Sequence, residues 1–405
     1  MKKLLLSVIG MYIGILAAFS QSNPQEDSVY RSRKLTFDEA NIVSSYYSQD
    51  GNNAAVTGGI GSEKLTDISN SIDLKLSKYD KKYRKHSFTA EIGIDHYTSA
   101  SSDQIDPKTI SSASHADTRY YPSLAWTMEN EKKGTTIGAG VSFSTEFDYK
   151  SVGANLNFAQ KTKNRNGEFS AKLQAYFDQV SLIYPEELRA SLGVGGGGGG
   201  REEHSYPSKS RNTVSGSLGW SQIVNKRLQV SLDAEVVSQQ GYLGLPFHRV
   251  YFKDNTVHVE NLPSSRLKIP LGLRANYFIG DKIIVRTWYR YYHDNWGINS
   301  NAAQVETVVK ITPFISITPF YRFYQQTAAD YFGPYQSHVA ADTYYTSNYD
   351  LSNFTSNFYG AGFRIAPPKG VFGIQHVNAL EIRYGHYQKT TGMNANIISL
   401  NLKFK

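Results

Sequence analysis

The chain has 405 residues, 40% of them hydrophobic, with 29 Tyr, 20 Phe, no Cys and a formal net charge of +8. Its mean hydropathy is −0.42, and no stretch after residue 20 supplies the roughly 20 uninterrupted apolar residues of a membrane-spanning helix. The lack of Cys excludes a disulfide framework, thiol catalysis and a thiolate metal site, and the positive charge is spread out, with no basic block of the kind that binds nucleic acid.

The chain opens on Lys2 and Lys3, an apolar run from Leu4 to Ala18, and a small-x-small site, Ala18-Phe19-Ser20, before Gln21. That order predicts a cleaved signal peptide over residues 1–20. Without a Cys after the site, no lipoprotein is expected. Residues 21–37 are polar and aperiodic and read as a periplasmic N-terminal tail, which leaves 38–405 as one domain.

From there, segment after segment alternates apolar and polar residues, with turn residues between. Phe88, Ala90, Ile92 and Ile94 stand against Thr89, Glu91, Gly93 and Asp95. Leu228, Val230, Leu232, Ala234 and Val236 stand against Gln229, Ser231, Asp233 and Glu235. A strand turns successive side chains to opposite faces, so each segment has one apolar and one wet face. About sixteen strands can be traced, an even number as in bacterial outer-membrane barrels. They run near 39–50, 66–78, 85–100, 117–131, 134–147, 149–163, 167–181, 211–224, 226–240, 264–279, 282–296, 300–312, 314–328, 353–366, 375–388 and 393–405. Pro270 and Pro319 fall inside two of them, and a missing N–H predicts a bulge or local break at each. The last segment sets Ile398, Leu400, Leu402 and Phe404 against Ser399, Asn401, Lys403 and Lys405. With its penultimate aromatic it is expected to be the closing strand.

The connections sort by length. Every second one is short and often basic, as in Lys81-Lys82-Tyr83-Arg84, Lys163-Asn164-Arg165-Asn166 and Pro367-Pro368-Lys369-Gly370. Most of the others are long: 51–65, 101–116, 182–210, 241–263 and 329–352. Short periplasmic turns facing longer outer loops are expected of an outer-membrane barrel. Alternation alone also suits two stacked sheets, but a soluble sandwich has no reason to sort its loops. The fold class expected is all-β, a closed antiparallel transmembrane β-barrel of about 16 strands in the outer membrane, surrounded by outer-membrane lipid. Such a wall needs only alternate residues apolar, which accounts for the low hydropathy, and abundant Tyr suits its aromatic girdles.

Several stretches resemble a family of Gram-negative outer-membrane barrels known as domain of unknown function 3570. They are Tyr46 to Gly59, Ile183 to Arg189, Pro246 to Phe252, Leu262 to Pro270, Trp288 to Tyr292 and Gln326 to Phe332. The likeness covers essentially the whole chain after the signal, and it implies no settled activity. Genes near such family members encode a small lipoprotein, a thioredoxin-like protein and a flavin transferase. The resemblance therefore implies a redox-linked envelope system, with a lipoprotein or periplasmic protein as a partner.

If the polar faces line the lumen, the first half brings Glu91, Asp95, Asp178, Asp233 and Glu235, and the second brings Arg274, Arg286, Arg290, Arg322 and Arg383. An acidic wall across from a basic one would put a transverse field over the lumen and select polar or zwitterionic solutes. The same charges could instead pair across a plugged interior. A barrel of this size is too wide for side chains alone to fill. Asp50 to Gly61, with Asp50, Asn52 and Asn53, is either an inward constriction or an outside turn.

His248 and Arg249 in 241–263 and Asp330 in 329–352 are further loop candidates. The oxygens of Asp330, Asp342 and Asp350 match no calcium spacing, so neither metal nor cofactor is expected. The run Gly195–Gly200 lacks the Lys-Ser/Thr of a phosphate loop and reads as a flexible tip. His96 and Asp95 sit on opposite strand faces, and neither His-Glu-x-x-His nor Gly-x-Ser-x-Gly occurs. The chain is therefore read as a non-enzyme. Two functions remain: a porin-like passage for small polar solutes, or a non-conducting scaffold that docks a lipoprotein or periplasmic partner.

Overall fold

The computed structural model describes residues 33–98, 116–189, 191–192 and 206–405. The expected signal peptide, the tail up to residue 32 and the Gly195–Gly200 run lie outside the described residues. The described strands are, in chain order, β1 (Thr36–Asp50), β2 (Leu65–Tyr79), β3 (Lys85–Thr98), β4 (Ala116–Asn130), β5 (Thr135–Thr145) and β6 (Tyr149–Lys161). There follow β7 (Gly167–Ser181), β8 (Ser208–Asn225), β9 (Leu228–Gly241), β10 (Arg249–Tyr251), β11 (Val257–Val259) and β12 (Ser265–Ile279). The last six are β13 (Ile283–Asp294), β14 (Asn299–Thr312), β15 (Ile315–Gln326), β16 (Phe354–Ile365), β17 (Val377–Lys389) and β18 (Asn394–Phe404).

All but β10 and β11 close into one antiparallel barrel, in the order β1-β18-β17-β16-β15-β14-β13-β12-β9-β8-β7-β6-β5-β4-β3-β2. These sixteen are the expected strands. β1 starts at Thr36, inside the stretch expected to be tail. The ring shuts where β1 pairs with β18, from Ala40 opposite Phe404 to Asp50 opposite Asn394. Closure leaves no edge strand, and the backbone polar groups of the wall are used in the ladder. Hydrocarbon tolerates no other kind of sheet.

The apolar face points outward. Leu124, Leu156 and Leu173 are 61%, 61% and 63% exposed there, while the inward positions carry the polar partners. Tyrosines on this outer face find partners one strand away. The Tyr289, Tyr321 and Tyr384 hydroxyls donate to Asn301, Asn357 and Asn396 at 2.6, 2.6 and 2.8 Å. A ring beside apolar neighbours with a satisfied hydroxyl suits the bilayer interface.

Pro270 and Pro319 produce local breaks without bulges. The rungs between Lys268 opposite Val237 and Leu271 opposite Ala234 are missing, yet the register continues. The same holds between Glu306 opposite Phe320 and Val309 opposite Ile317. The bulges lie elsewhere, at the turn ends of strands: between Phe37 and Glu39, Ile223 and Asn225, Lys310 and Thr312, and Val377 and Ala379.

One short turn departs from expectation. Between β16 and β17 the chain forms a single 3₁₀ turn, Val371–Gly373, and lies against the outer wall. Val371 is packed with Ala40, Ile42, Val377 and Phe404. Phe404 does point outward, but it is only 2% exposed because this turn covers it.

Lipid contact can be tested on adjacent strands. Leu173→Arg, mid-strand on the outer face, should cost about 2–4 kcal/mol of unfolding free energy in bilayers. Ser215→Arg, on the inner face, should stay within about 0.5–1 kcal/mol. Denaturant titration in vesicles measures both.

Candidate functional site

The inward faces gather five of the expected charges on one wall. β12 supplies Arg274, β13 supplies Arg286 and Arg290, β15 supplies Arg322 and β17 supplies Arg383. These strands lie within one run of the ring, β12 to β17, with β14 and β16 between them. Glu306 of β14 lies between two of them, 3.0 Å from Arg286 Nη1 and 2.8 Å from Arg383 Nη2. Arg383 also lies 5.1 Å from the centre of the Phe320 ring. Arg322 donates to Gln304 Oε1 at 2.8 Å and sits 5.7 and 5.5 Å from the ring centres of Trp288 and Phe358. Carboxylate, amide and ring contacts hold the Arg286, Arg322 and Arg383 guanidiniums in place while occupying only some of their N–H donors.

Glu91 and Asp95 on β3 are directly across the lumen from Arg286 and Arg290, since β3 and β13 are eight places apart in the ring. Asp95 accepts from Ser69 Oγ and the Tyr121 hydroxyl at 2.5 and 2.9 Å, and Glu91 from Ser123 Oγ at 3.4 Å. Asp233 and Glu235 are placed differently. β9 adjoins β12, so they flank the basic wall instead of facing it, with Asp233 Oδ2 3.8 Å from Arg274 Nε. Asp178 is buried, accepts from the Tyr149 hydroxyl at 2.5 Å and stands opposite Arg211. Two recesses open along the basic wall. One, of about 350 Å³, lies among Arg274, Arg286 and Arg322. The other, of about 250 Å³, lies among Asp233, Glu235, Arg274 and Arg290. Trp288 borders both.

Outside the wall, the long loops meet over the mouth. The β1–β2 and β9–β12 loops spring from opposite sides of the ring, yet Arg249 of β10 donates from Nη1 to the Val56 carbonyl at 2.8 Å. The same buried guanidinium donates from Nε and Nη2 to Glu187 of the β7–β8 loop at 2.5 and 3.2 Å. Burial pushes the Glu187 carboxyl upward, but its bonds to Arg249 outweigh that and hold it below its usual range. Gly58 permits the crossing. It has φ +79°, and a Cβ there would fall 2.5 Å from the Tyr251 ring.

The β15–β16 loop joins through Glu260, which is 5% exposed. Glu260 accepts from Thr346 Oγ1 at 2.5 Å and the Leu245 amide at 2.8 Å, with His248 Nδ1 at 3.6 Å. Burial raises the Glu260 carboxyl, but His248, the Thr346 hydroxyl and the Leu245 amide together hold it below the usual 4.5. Beside this network, Trp296, Ile298 and Ala329 form a buried cluster. Arg266 sits 4.3 Å from the centre of the Trp296 ring and binds Asp294 at 2.5 Å.

Of the loop candidates, Arg249 and His248 are central to this cap and the others are peripheral. Asp50 and Asn52 are exposed, and the first loop is buried from Val56 to Gly59. Asn53 Nδ2 ties that loop to the Thr391 carbonyl at 2.6 Å. Asp330 is exposed, its amide donating to the Trp296 carbonyl at 2.8 Å. The structure adds Trp288, Trp296, Glu187, Glu260 and Thr346. It also brings carboxylate oxygens of Asp117, Glu146 and Asp148 within 4.8 Å of one another. Glu187 and Trp288 stand in stretches already singled out by resemblance, but their partners are far away in the chain.

A closed ring with an apolar outside, a charged inside and short turns opposite long loops defines a transmembrane β-barrel of outer-membrane, porin-like build. The chain belongs to the family described as "Protein of unknown function (DUF3570)", whose match spans residues 82–396. Comparison with curated proteins finds no match. Among solved structures, OccD3 (OpdP) of Pseudomonas aeruginosa is similar, at 9% identity and TM-score 0.44, covering 95% of each chain. OpdK of the same species, solved with vanillate, is similar at 6% identity and TM-score 0.43, over 93% of this chain and 100% of that one. A BenF-like porin from Pseudomonas fluorescens Pf-5 shows 8% identity and TM-score 0.41, over 93% and 100%.

Two measurements test the cap. Arg249→Ala should lower the free energy of local opening at Val56 to Gly59 by about 1.5–3 kcal/mol, read by amide hydrogen exchange. Glu260 has a lowered folded pKa, so its contribution is whole above the usual 4.5 and is lost as pH falls through the folded value. Protection factors around Leu245 and Thr346, corrected for the intrinsic exchange rate at each pH, should therefore fall on acidification below about pH 4.5.

Proposed function

We propose that the protein is a porin-like passage that carries small polar solutes across the outer membrane through a charged lumen. The observation that supports this best is the placement of Arg286 and Arg290 directly across the ring from Glu91 and Asp95. Such a pair of walls orients polar solutes and the water around them without a catalytic step. In this reading the protein is not an enzyme, needs no cofactor or metal, and has lipid as its immediate surroundings.

The loops that meet over the mouth favour a second reading. A barrel whose outer end is bridged by Arg249 and Glu260 could be non-conducting and serve as a scaffold for a lipoprotein or periplasmic protein. Membrane pull-down with a stoichiometric partner and no liposome swelling supports the scaffold. Swelling without any partner supports the passage.

In planar bilayers the passage reading predicts ion conductance. Arg286→Glu with Arg290→Glu should shift the reversal potential toward that of cations. A bilayer that stays silent, or a selectivity that does not move, contradicts it.

A further inference from the structure

The ladder aligns an acid and a base on one row of the inner wall. Asp233 stands opposite Gly219 on one side and Gly272 on the other. Arg290 stands opposite Gly272 and Ala302. Only Gly272 separates the two, and small residues flank them. Their Cα atoms are thus about 10 Å apart, two strand spacings, with no side chain between. The recess of about 250 Å³ opens over this row. Glu235, Arg274 and the Trp288 indole complete its wall.

The charges of the recess are poorly neutralised from within. Asp233 and Arg274 are 3.8 Å apart, and both side chains are more than half exposed, so the pair is weak. Glu235 and Arg290 have no ion-pair partner within 4.0 Å among the described residues. A solute bearing one charge would meet its counter-charge here and a like charge a few ångströms further along the row. A solute bearing both charges would satisfy both ends.

We propose that this recess binds a small zwitterion whose ammonium and carboxylate lie several ångströms apart, such as a short peptide with free termini. The ammonium sits between Asp233 and Glu235, and the carboxylate takes N–H donors from Arg290 and Arg274. The body of the solute lies along Trp288. Arg274 also borders the neighbouring recess with Arg286 and Arg322, which offers the carboxylate its next foothold. The proposal rests on the reading of the lumen as a solute path and names the class of solute.

The test is isothermal titration of the detergent-solubilised full chain with 4-aminobutanoate, butanoate and butylammonium. The zwitterion should bind roughly tenfold tighter than either singly charged probe. Glu235→Gln and Arg290→Gln should each abolish that advantage, in protein whose heat-shifted electrophoretic band shows an intact barrel. Equal binding of the three probes, or an advantage that survives in both variants, overturns the proposal. Titration needs no current, so the two readings fail separately. Selective binding by a barrel that conducts nothing keeps the site and removes the passage. Conductance with equal binding of the three probes does the reverse.

Discussion

Everything in this molecule depends on the seam between β1 and β18. Where Ala40 meets Phe404 and Asp50 meets Asn394, the last strand returns to the first and the sheet loses its edges. A bilayer solvates no free N–H or C=O group, so an open sheet of these strands could not stay there, whatever its side chains. The β16–β17 turn lies over the same seam and covers Phe404, shielding the contact that shuts the ring.

Closure also fixes what the inside can do. The alternation that gives lipid Leu124, Leu156 and Leu173 turns Arg286, Arg290, Glu91 and Asp95 toward the lumen. The strand order then decides which charges are neighbours and which are opposites. Glu91 and Asp95 oppose the basic wall, while Asp233 and Glu235 are next to it. An acid opposite a base makes a field across the lumen. An acid beside a base, with only Gly272 between, leaves opposite charges on one row of the wall. At the mouth, Arg249 links loops that spring from opposite sides of the ring, so the cap is cross-braced and not a fringe of separate loops.

The wall was legible in the sequence because a strand is a local object. Period-two alternation, turn residues and the length sorting of connections are visible within a few residues, and they located all sixteen barrel strands. Pro270 was recognised as a break for the same reason. The cap was not legible, because it consists of contacts between distant parts of the chain. Nothing local says that Arg249 donates to Val56 and Glu187, or that Thr346 donates to Glu260. The stretches that resemble the family, Tyr46 to Gly59, Ile183 to Arg189 and Pro246 to Phe252, do mark much of the cap, but likeness shows position and not partner. Which charges are neighbours in the lumen was hidden for a related reason. Splitting the chain into an acidic first half and a basic second half ignores that β9, although early, is adjacent to β12.

The central claim is that lipid lies against alternate residues of a sealed ring. The chain contains no Cys, so nitroxide labels on single introduced cysteines report their sites without background. The measurement is collision accessibility along β18, at Ile398, Ser399, Leu400 and Asn401, in lipid vesicles. The account predicts oxygen-accessible, nickel-shielded labels at Ile398 and Leu400, with the reverse at Ser399 and Asn401. Labels that all meet the aqueous nickel reagent equally would contradict it.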